Sequence, residues 1–402
     1  MPDGTGLIER PEVLAPAPGD PARIEAFIPT PCVQNHASFI APLPWGGDLG
    51  CAWFGGTQEG VPDISVHFSR LSPGAERWSD PARLSDDPTR SEQNPLLFPA
   101  PDGWLWLLWT AQVSGNQDTA IVRRRVSEDG GRTWSPIETL FGEQPGSGTF
   151  IRQPIVALGN GDWVLPIFHC PTPPSGAWTG NEDTSAVMVS SDGGRSWTEH
   201  AVPGSTGLVH MNVLDLRDRG LVAFFRSRWA DNIYASRSSD GGRTWTEPAP
   251  TELPNNNSSI QAVRLANGHL AMVYNHSSAA EATDRRLSLY DDLGEEGEPA
   301  PDAPPSTTGG GGGRSAFWGA PRAPMTLAIS EDEGRTWPWR RNLEVGDGYC
   351  MTNNSKEGLN REFSYPSIRQ TPDGLLHITY TYWRQAIKYV RVAEDWARSA
   401  AR

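Results

Sequence analysis

The stretch Ser127-Glu-Asp-Gly-Gly-Arg-Thr-Trp134 occurs four times in nearly the same form along this chain of 402 residues. The other copies begin at Ser190, Ser238 and Ser330, and all share the pattern Ser-x-Asp-x-Gly-x-Thr/Ser-Trp. Asp and Gly favour a tight turn, because Asp bonds nearby backbone and Gly adopts a positive φ, while Trp supplies a large apolar plug. A hairpin turn that recurs in this way predicts a repeat architecture.

This octapeptide is identified as the Asp box, or BNR repeat, and the chain therefore resembles the sialidase-like β-propellers. The resemblance implies an all-β, six-bladed propeller with the boxes on outer hairpin turns, away from the active face. It covers nearly the whole chain as fold, but only two or three of some seven active-site positions.

Short strand-like runs separated by turn residues recur about every ten residues and divide the chain into blades. Six blades are predicted to start near residues 36, 92, 151, 207, 258 and 363. The box-to-box steps of 63 and 48 residues fit one blade each, whereas the last step of 92 residues is too long. Its excess lies in residues 288–320, where so much Pro, Gly and charge predicts a disordered insertion that leaves a role as a lid open. Residues 1–20 are predicted to be a flexible arm, and residues 21–402 a single propeller.

Composition restricts the partners and cofactors of the chain. A net charge of −14 and a pI of about 5.1 argue against nucleic acid and anionic membranes, so an acidic ligand would need a local group of arginines. No His, Cys or Asp set has zinc spacing, and the glycine run lacks a strand–helix context, so no metal and no cofactor is expected. No leader or long apolar span is visible, which predicts a cytoplasmic protein and leaves secretion of a processed form open. The protein is expected to be a monomer or a weak homo-oligomer.

The resemblance implies an active site in which three arginines hold a sugar carboxylate, a Glu activates a Tyr nucleophile, and an Asp is the acid/base. Tyr365 has the place of the nucleophile, at the start of the last blade, and Glu362 lies three residues before it. Arg226 ends an apolar strand ahead of the third box, as the family's second arginine does. Candidates for the remaining arginines are Arg322, its rival Arg286, and Arg384.

Several positions depart from the family's pattern. His36, in Asn35-His36-Ala37-Ser38, stands where the first arginine is expected, and His210 stands near the expected activating Glu. The loop after the first hairpin offers Glu59 and Asp63 as acid/base, and Asp63 is equally plausible as a strand cap. Polar strand ends such as Asn35 and Asn257 are typical of either sugar-hydroxyl ligands or turn caps.

Three functions fit this set of residues. The leading interpretation is an exo-sialidase-like glycoside hydrolase that cleaves a terminal acidic sugar from a small-molecule or oligosaccharide substrate. The alternative is a polysaccharide or uronate lyase, because histidine, with an ordinary pKa near ~6.5, suits the removal of a proton beside a carboxylate. A propeller that only binds sugar or protein remains a third interpretation, because the catalytic set is incomplete.

Overall fold

Six antiparallel sheets form the blades of a β-propeller in the computed structural model, which describes residues 8–173, 178–286, 289, 290, 293 and 314–399. The predicted all-β, six-bladed fold is confirmed. No helix in these ranges is long and apolar enough to span a bilayer.

The chain begins with β1 (Ala15–Ala17) and β2 (Asp20–Ile28), which belong to the last blade. Blades one to three contain β3 (Gln34–Pro42), β4 (Leu49–Gly56), β5 (Ser65–Leu71) and β6 (Ala82–Arg83); β7 (Ser91–Pro99), β8 (Leu105–Val113), β9 (Asn116–Ser127) and β10 (Glu138–Phe141); and β11 (Ser147–Ile151), β12 (Val156–Ala157), β13 (Trp163–Pro171), β14 (Thr184–Ser190) and β15 (Thr198–Ala201).

Blades four to six contain β16 (Leu208–Asp215), β17 (Leu221–Ser227), β18 (Asn232–Ser238) and β19 (Ala249–Pro254); β20 (Gln261–Arg264), β21 (Leu270–Asn275), β22 (Met325–Ser330) and β23 (Trp339–Glu344); and β24 (Phe363–Gln370), β25 (Leu376–Tyr382) and β26 (Ala386–Val392). Short 3₁₀ turns lie at Arg217–Arg219 and Ala279–Glu281, and helix α1 covers Glu394–Arg398.

The inner strands of each blade are buried on both faces, because neighbouring blades pack against them. In β3 every residue except Pro42 is buried, whereas no residue of the outer strand β10 is. Aromatic side chains fill the space between blades, as where Phe98 and Trp106 meet Trp163 edge to face. This packing leaves the ends of the innermost strands as the place where polar side chains converge.

The N-terminal segment closes the ring of blades. Strand β2 pairs with β26, with Phe27 opposite Lys388, so the two ends of the chain share the last blade. The prediction of a flexible arm over residues 1–20 is wrong for its second half, because β1 pairs with β2 and the Leu14 amide donates to the Glu76 carbonyl at 2.8 Å. Backbone pairing orders a Pro-rich sequence here. Residues 1–7 lie outside the described residues.

Each octapeptide forms the turn into the outermost strand of its blade, as between β9 and β10. The Ser127 hydroxyl donates to Asp129 Oδ1 at 2.8 Å and accepts from the Gly131 amide at 2.7 Å. Asp129 also accepts from the amide and the hydroxyl of Thr133, at 2.8 and 2.6 Å. The turn therefore satisfies its polar groups within one short stretch of sequence.

The ends of the 288–320 insertion are packed, which corrects the prediction of disorder for those parts. Leu289 and Trp318 are buried in one apolar cluster with Phe168 and Trp178. Apolar residues at both ends of the segment account for this burial, which the Gly/Pro-rich centre concealed. Residues 294–313 lie outside the described residues.

Candidate active site

A bulge occurs near the start of the first strand in four blades, at the same end of the propeller. In each, two residues of the inner strand face one residue of its partner, and the first of the two has a positive φ. These residues are Ala37 (φ 56°), Asn94 (φ 51°), His210 (φ 53°) and Tyr365 (φ 49°). A left-handed conformation costs a non-glycine residue about 1–3 kcal/mol, and bulges of this kind re-aim side chains at functional sites.

Tyr365 lies at the centre of the group of polar side chains at this end. Its hydroxyl accepts a hydrogen bond from Arg226 Nη1 at 2.7 Å, and its ring is almost fully buried. The guanidinium carbons of Arg152, Arg226 and Arg322 lie 5.3, 5.6 and 5.7 Å from the ring centre. Three cations from three blades therefore surround one phenol, and this arrangement favours the binding of a negatively charged group beside Tyr365.

Two histidines flank Tyr365. The His36 ring centre lies 4.2 Å from that of Tyr365, and the His210 ring centre lies 5.6 Å from it. Burial lowers the pKa of both imidazoles well below the ordinary value, and the surrounding arginines lower it further. Both rings are therefore neutral near pH 7. His36 Nε2 and His210 Nδ1 have no hydrogen-bond partner among the described residues.

Arg226 is a buried cation with free hydrogen-bonding capacity. Its Nε donates to Asn257 Oδ1 at 2.8 Å, and its Nη1 also lies 3.4 Å from His210 Nε2. Its Nη2 has no partner in the described part of the chain. Burial lowers the pKa of the Arg226 guanidinium to about 9. An unpaired buried guanidinium is costly, so a carboxylate would bind here favourably.

A chain of ion pairs forms a second side of the site. Arg322 Nη1 donates to Glu362 Oε2 at 2.6 Å, and Arg384 donates both to Glu362 and to Glu59. Burial opposes ionisation of Glu362, but Arg322 and Arg384 more than offset it, so its pKa is lowered. The positive charges of Arg322 and Arg384 are thus balanced by the negative charges of Glu362 and Glu59. Among the described residues Arg152 and Arg226 have no carboxylate partner, so the site carries a net positive charge inside an acidic protein.

The packed ends of the insertion cover this site. The Trp318 ring lies 5.9 Å from the Arg226 guanidinium carbon and 5.1 Å from that of Arg228. Arg228 is paired with Asp183 at 2.6 Å, and Asn257 Nδ2 donates to the Phe317 carbonyl at 2.8 Å. The insertion ends therefore contact residues that surround Tyr365, which is itself only 6% exposed.

The structure joins most of the sequence-predicted residues to Tyr365, either by direct contact, through Arg226, or through the ion pairs that continue from Arg322. These are His36, His210, Arg226, Asn257, Arg322, Glu362, Arg384 and Glu59.

Three predicted residues lie apart from this group. Asp63 is exposed and accepts from the Thr57 amide at 3.2 Å, as a cap does. The Asn35 side chain donates to the Cys32 and Gln385 carbonyls, and Arg286 Nη2 donates to the Leu289 carbonyl at 2.9 Å. Of the two rivals for the third arginine, Arg322 is the one beside Tyr365.

Two residues at the site were not among the predicted site residues. Arg152 directly follows β11, the first strand of the third blade, in the run Arg152-Gln153-Pro154, and that strand-end position was the available signal. Trp318 lies inside the segment predicted to be disordered, where no local pattern marks it. No group of three His, Cys, Asp or Glu side chains in the described ranges is arranged to hold a metal ion.

Residues 47–378 match a family model described as BNR repeat-like domain. No curated protein sequence matches the chain.

Among solved structures, the chain is similar to the Hadza microbial sialidase Hz136, with a TM-score of 0.66 and 14% identity over 91% of this chain and 66% of that one. A protein of unknown function from Dyadobacter fermentans gives a TM-score of 0.64 and 15% identity, over 92% and 99% of the two chains. The intramolecular trans-sialidase from Ruminococcus gnavus gives 0.63 and 12%, over 91% and 96%. These TM-scores show a shared sialidase-like fold, and at identities this low the likeness shows the fold alone.

Proposed function

Because this chain belongs to the BNR repeat-like domain family, we propose that it is a carbohydrate-active enzyme of the sialidase superfamily that cleaves a terminal acidic sugar. The observation that carries the proposal is the contact of Arg226 Nη1 with the Tyr365 hydroxyl, beside an Nη2 that has no partner in the described residues. One buried cation thus faces both a reactive group and the place of a substrate carboxylate. Arg322 also lies beside the Tyr365 ring, where Glu362 connects it to Arg384.

In this proposal Tyr365 is the nucleophile. Its oxygen bonds to the anomeric carbon as the glycosidic bond breaks, and the phenol proton passes to His210. Glu59 protonates the leaving oxygen after it takes up a proton from solvent and gives up its ion pair with Arg384. Water then cleaves the tyrosyl–sugar bond, with the same proton transfers in reverse. A neutral His210 can accept that proton, and a nearby substrate carboxylate would favour its protonated form.

A lyase is the second candidate, and the positions of the carboxylates favour it. Glu59 and Glu362 are both engaged by Arg384, whereas the groups that flank Tyr365 are two neutral imidazoles. His36 or His210 would remove the proton next to the uronate carboxylate, and Tyr365 would protonate the leaving oxygen. The product would carry a double bond conjugated with its carboxylate, and no water would be added.

The test is turnover of a panel of sialosides, glucuronides and uronate oligosaccharides by the unmodified protein. Hydrolysis adds one water to the products, whereas elimination leaves the summed mass unchanged and creates an ultraviolet-absorbing double bond. Tyr365→Phe should lower kcat/KM by at least ~10³-fold in either case, since it removes the reactive oxygen. Tyr349→Phe, at a partly exposed tyrosine, is the matched control. Retained activity in Tyr365→Phe would exclude both mechanisms.

His36→Arg separates the two candidates by a second route. Arginine holds a carboxylate at every working pH but does not act as a base near neutrality. A hydrolase should keep or improve its kcat/KM in this variant, whereas a lyase that uses His36 should lose its activity. Unchanged elimination in His36→Arg would assign the base to His210.

A further inference from the structure

Arg152 bonds the backbone next to His36 and at Tyr365, two residues that the proposed function places beside the substrate. Its Nη1 donates to the Ala37 carbonyl at 3.2 Å, and its Nη2 lies 3.1, 3.0 and 3.3 Å from the carbonyls of Ser38, Tyr365 and Pro366. Its Nε donates to Ser259 Oγ at 3.3 Å. A single side chain from the third blade thus connects the first, fifth and sixth blades.

The four carbonyls belong to matching positions of two bulges. Ala37 and Tyr365 are the positive-φ residues of their bulges, and Ser38 and Pro366 follow them. His36 immediately precedes the first bulge, and its ring lies 4.2 Å from that of Tyr365. The spacing of these two rings therefore depends on how the two bulges are held.

We propose that Arg152 is a positioning residue that holds the first and last bulges together and thereby fixes Tyr365 against His36, an inference that rests on the proposed function. The planar guanidinium suits this task, because its fixed fork reaches carbonyls on two chains at once. A lysine would keep the charge but reach fewer of these acceptors. The hydrogen bonds of Arg152 to the described residues all go to backbone carbonyls and to the Ser259 hydroxyl.

Arg369 provides a matched control further along β24. Its Nη1 donates to Gln261 Oε1 at 2.9 Å and to the Ile368 carbonyl at 2.6 Å, and no carboxylate in the described ranges pairs with it. Burial lowers the pKa of Arg152 and of Arg369 to about 10. Arg369 bonds neither bulge carbonyls nor site residues, so removing it should disturb the scaffold without moving Tyr365.

The experiment compares Arg152→Lys, Arg152→Met and Arg369→Met on the substrate that the unmodified protein turns over best. Both Arg152 variants should lower kcat by about 10²-fold with little change in KM, since misplacement of a reacting group by about 1 Å has this effect. Arg369→Met should keep both constants. Normal kcat in Arg152→Lys, or an equal loss of kcat in Arg369→Met, would overturn the proposal.

A second readout does not depend on activity. The imidazole signals of His36, one of eight histidines, should be displaced by the Tyr365 ring current, because the two ring centres are 4.2 Å apart, and loss of these signals in His36→Gln would assign them. They should move toward ordinary values in Arg152→Lys and stay in place in Arg369→Met.

If no acidic sugar is turned over, the proposed function fails while these signals still decide the role of Arg152. Failure of both Arg152 variants to fold, beside a folded Arg369→Met, would assign Arg152 to the scaffold and overturn the proposal.

Discussion

The Asp-box turns and the central site both depend on hydrogen bonds between polar side chains, but the bonded residues lie at very different distances along the chain. In a box, Ser127 and Thr133 lie within a few residues of Asp129 and bond it directly. In the site, Arg226 and Tyr365 are 139 residues apart, and His36 and its partner Thr381 are 345 apart. A box is therefore complete once its hairpin forms, whereas the site exists only when the ring has closed.

The two regions also differ in how they treat charge. Burial works against ionisation of Asp240 in the third box, but bonds from Thr244, Ser238 and Arg243 lower its pKa to about 2. In the site, burial dominates, and it drives His36 and His210 toward their neutral forms. Local bonds thus stabilise an exposed anion, while the interior tolerates cations only through long-range partners.

The largest expected effect is a loss of stability between pH 6.5 and pH 4, where the buried histidines dominate the pH dependence of the free energy of unfolding. Burial lowers the pKa of His67 and His377 to about 4, so the unfolded chain binds their protons first as the pH falls. Stability should be full above about pH 6.5 and fall by about 3 kcal/mol for each of these histidines by pH 4. His36 and His210 should add to this loss in the same direction.

Urea unfolding across this range measures the effect, with His377→Gln as the test variant. Its free energy of unfolding should depend less on pH, by about 3 kcal/mol between the two limits. The Asp-box carboxylates should contribute only below about pH 4, because their stabilisation is lost as pH falls toward the lowered pKa of Asp240, about 2. Unchanged stability from pH 6.5 to pH 4 would contradict the buried, neutral state of the histidines.

Glu362→Gln should have the next largest effect, because it leaves Arg322 and Arg384 sharing a neutral amide in the interior. Breaking a buried ion pair on one side typically costs about 3–5 kcal/mol. The control is Glu138→Gln, at an exposed pair with Arg124, which should cost less than about 1 kcal/mol. Equal stability of the two variants in urea unfolding would remove the distinction between site and surface charges.

Asp240→Ala should have the smallest effect, because the lost bonds are local and lie at the surface. Loss of a comparable side-chain cap costs about 1 kcal/mol. Asp218→Ala, on an exposed turn without such bonds, is the control, and thermal unfolding of both variants gives the difference. Kinetic constants should stay normal in Asp240→Ala. A large change in kcat would show that the outer turn and the central site are coupled.

Local sequence predicted the framework of this protein well. The boxes mark the turns into four outer strands, and the predicted blade starts at 36, 92 and 363 lie within two residues of Gln34, Ser91 and Phe363. These features depend on hydrogen bonds and φ values within a few residues, which a short pattern records. The same reasoning failed for the N-terminal arm and for the insertion ends, where the pairing strand or the apolar cluster is distant in sequence.

The residues of the central site were likewise predictable from local sequence only in part. The sequence by itself determined the propeller, its turns and the places where polar residues end inner strands, because turn chemistry and strand periodicity act locally. Only the tertiary structure decided that Glu362 joins Arg322 to Arg384, that Arg322 rather than Arg286 faces Tyr365, and that Arg152 binds two bulges at once. These contacts form between blades that are distant in the chain. Because burial makes an unpaired charge costly, the charged side chains of the site depend on partners that only the closed ring brings to them.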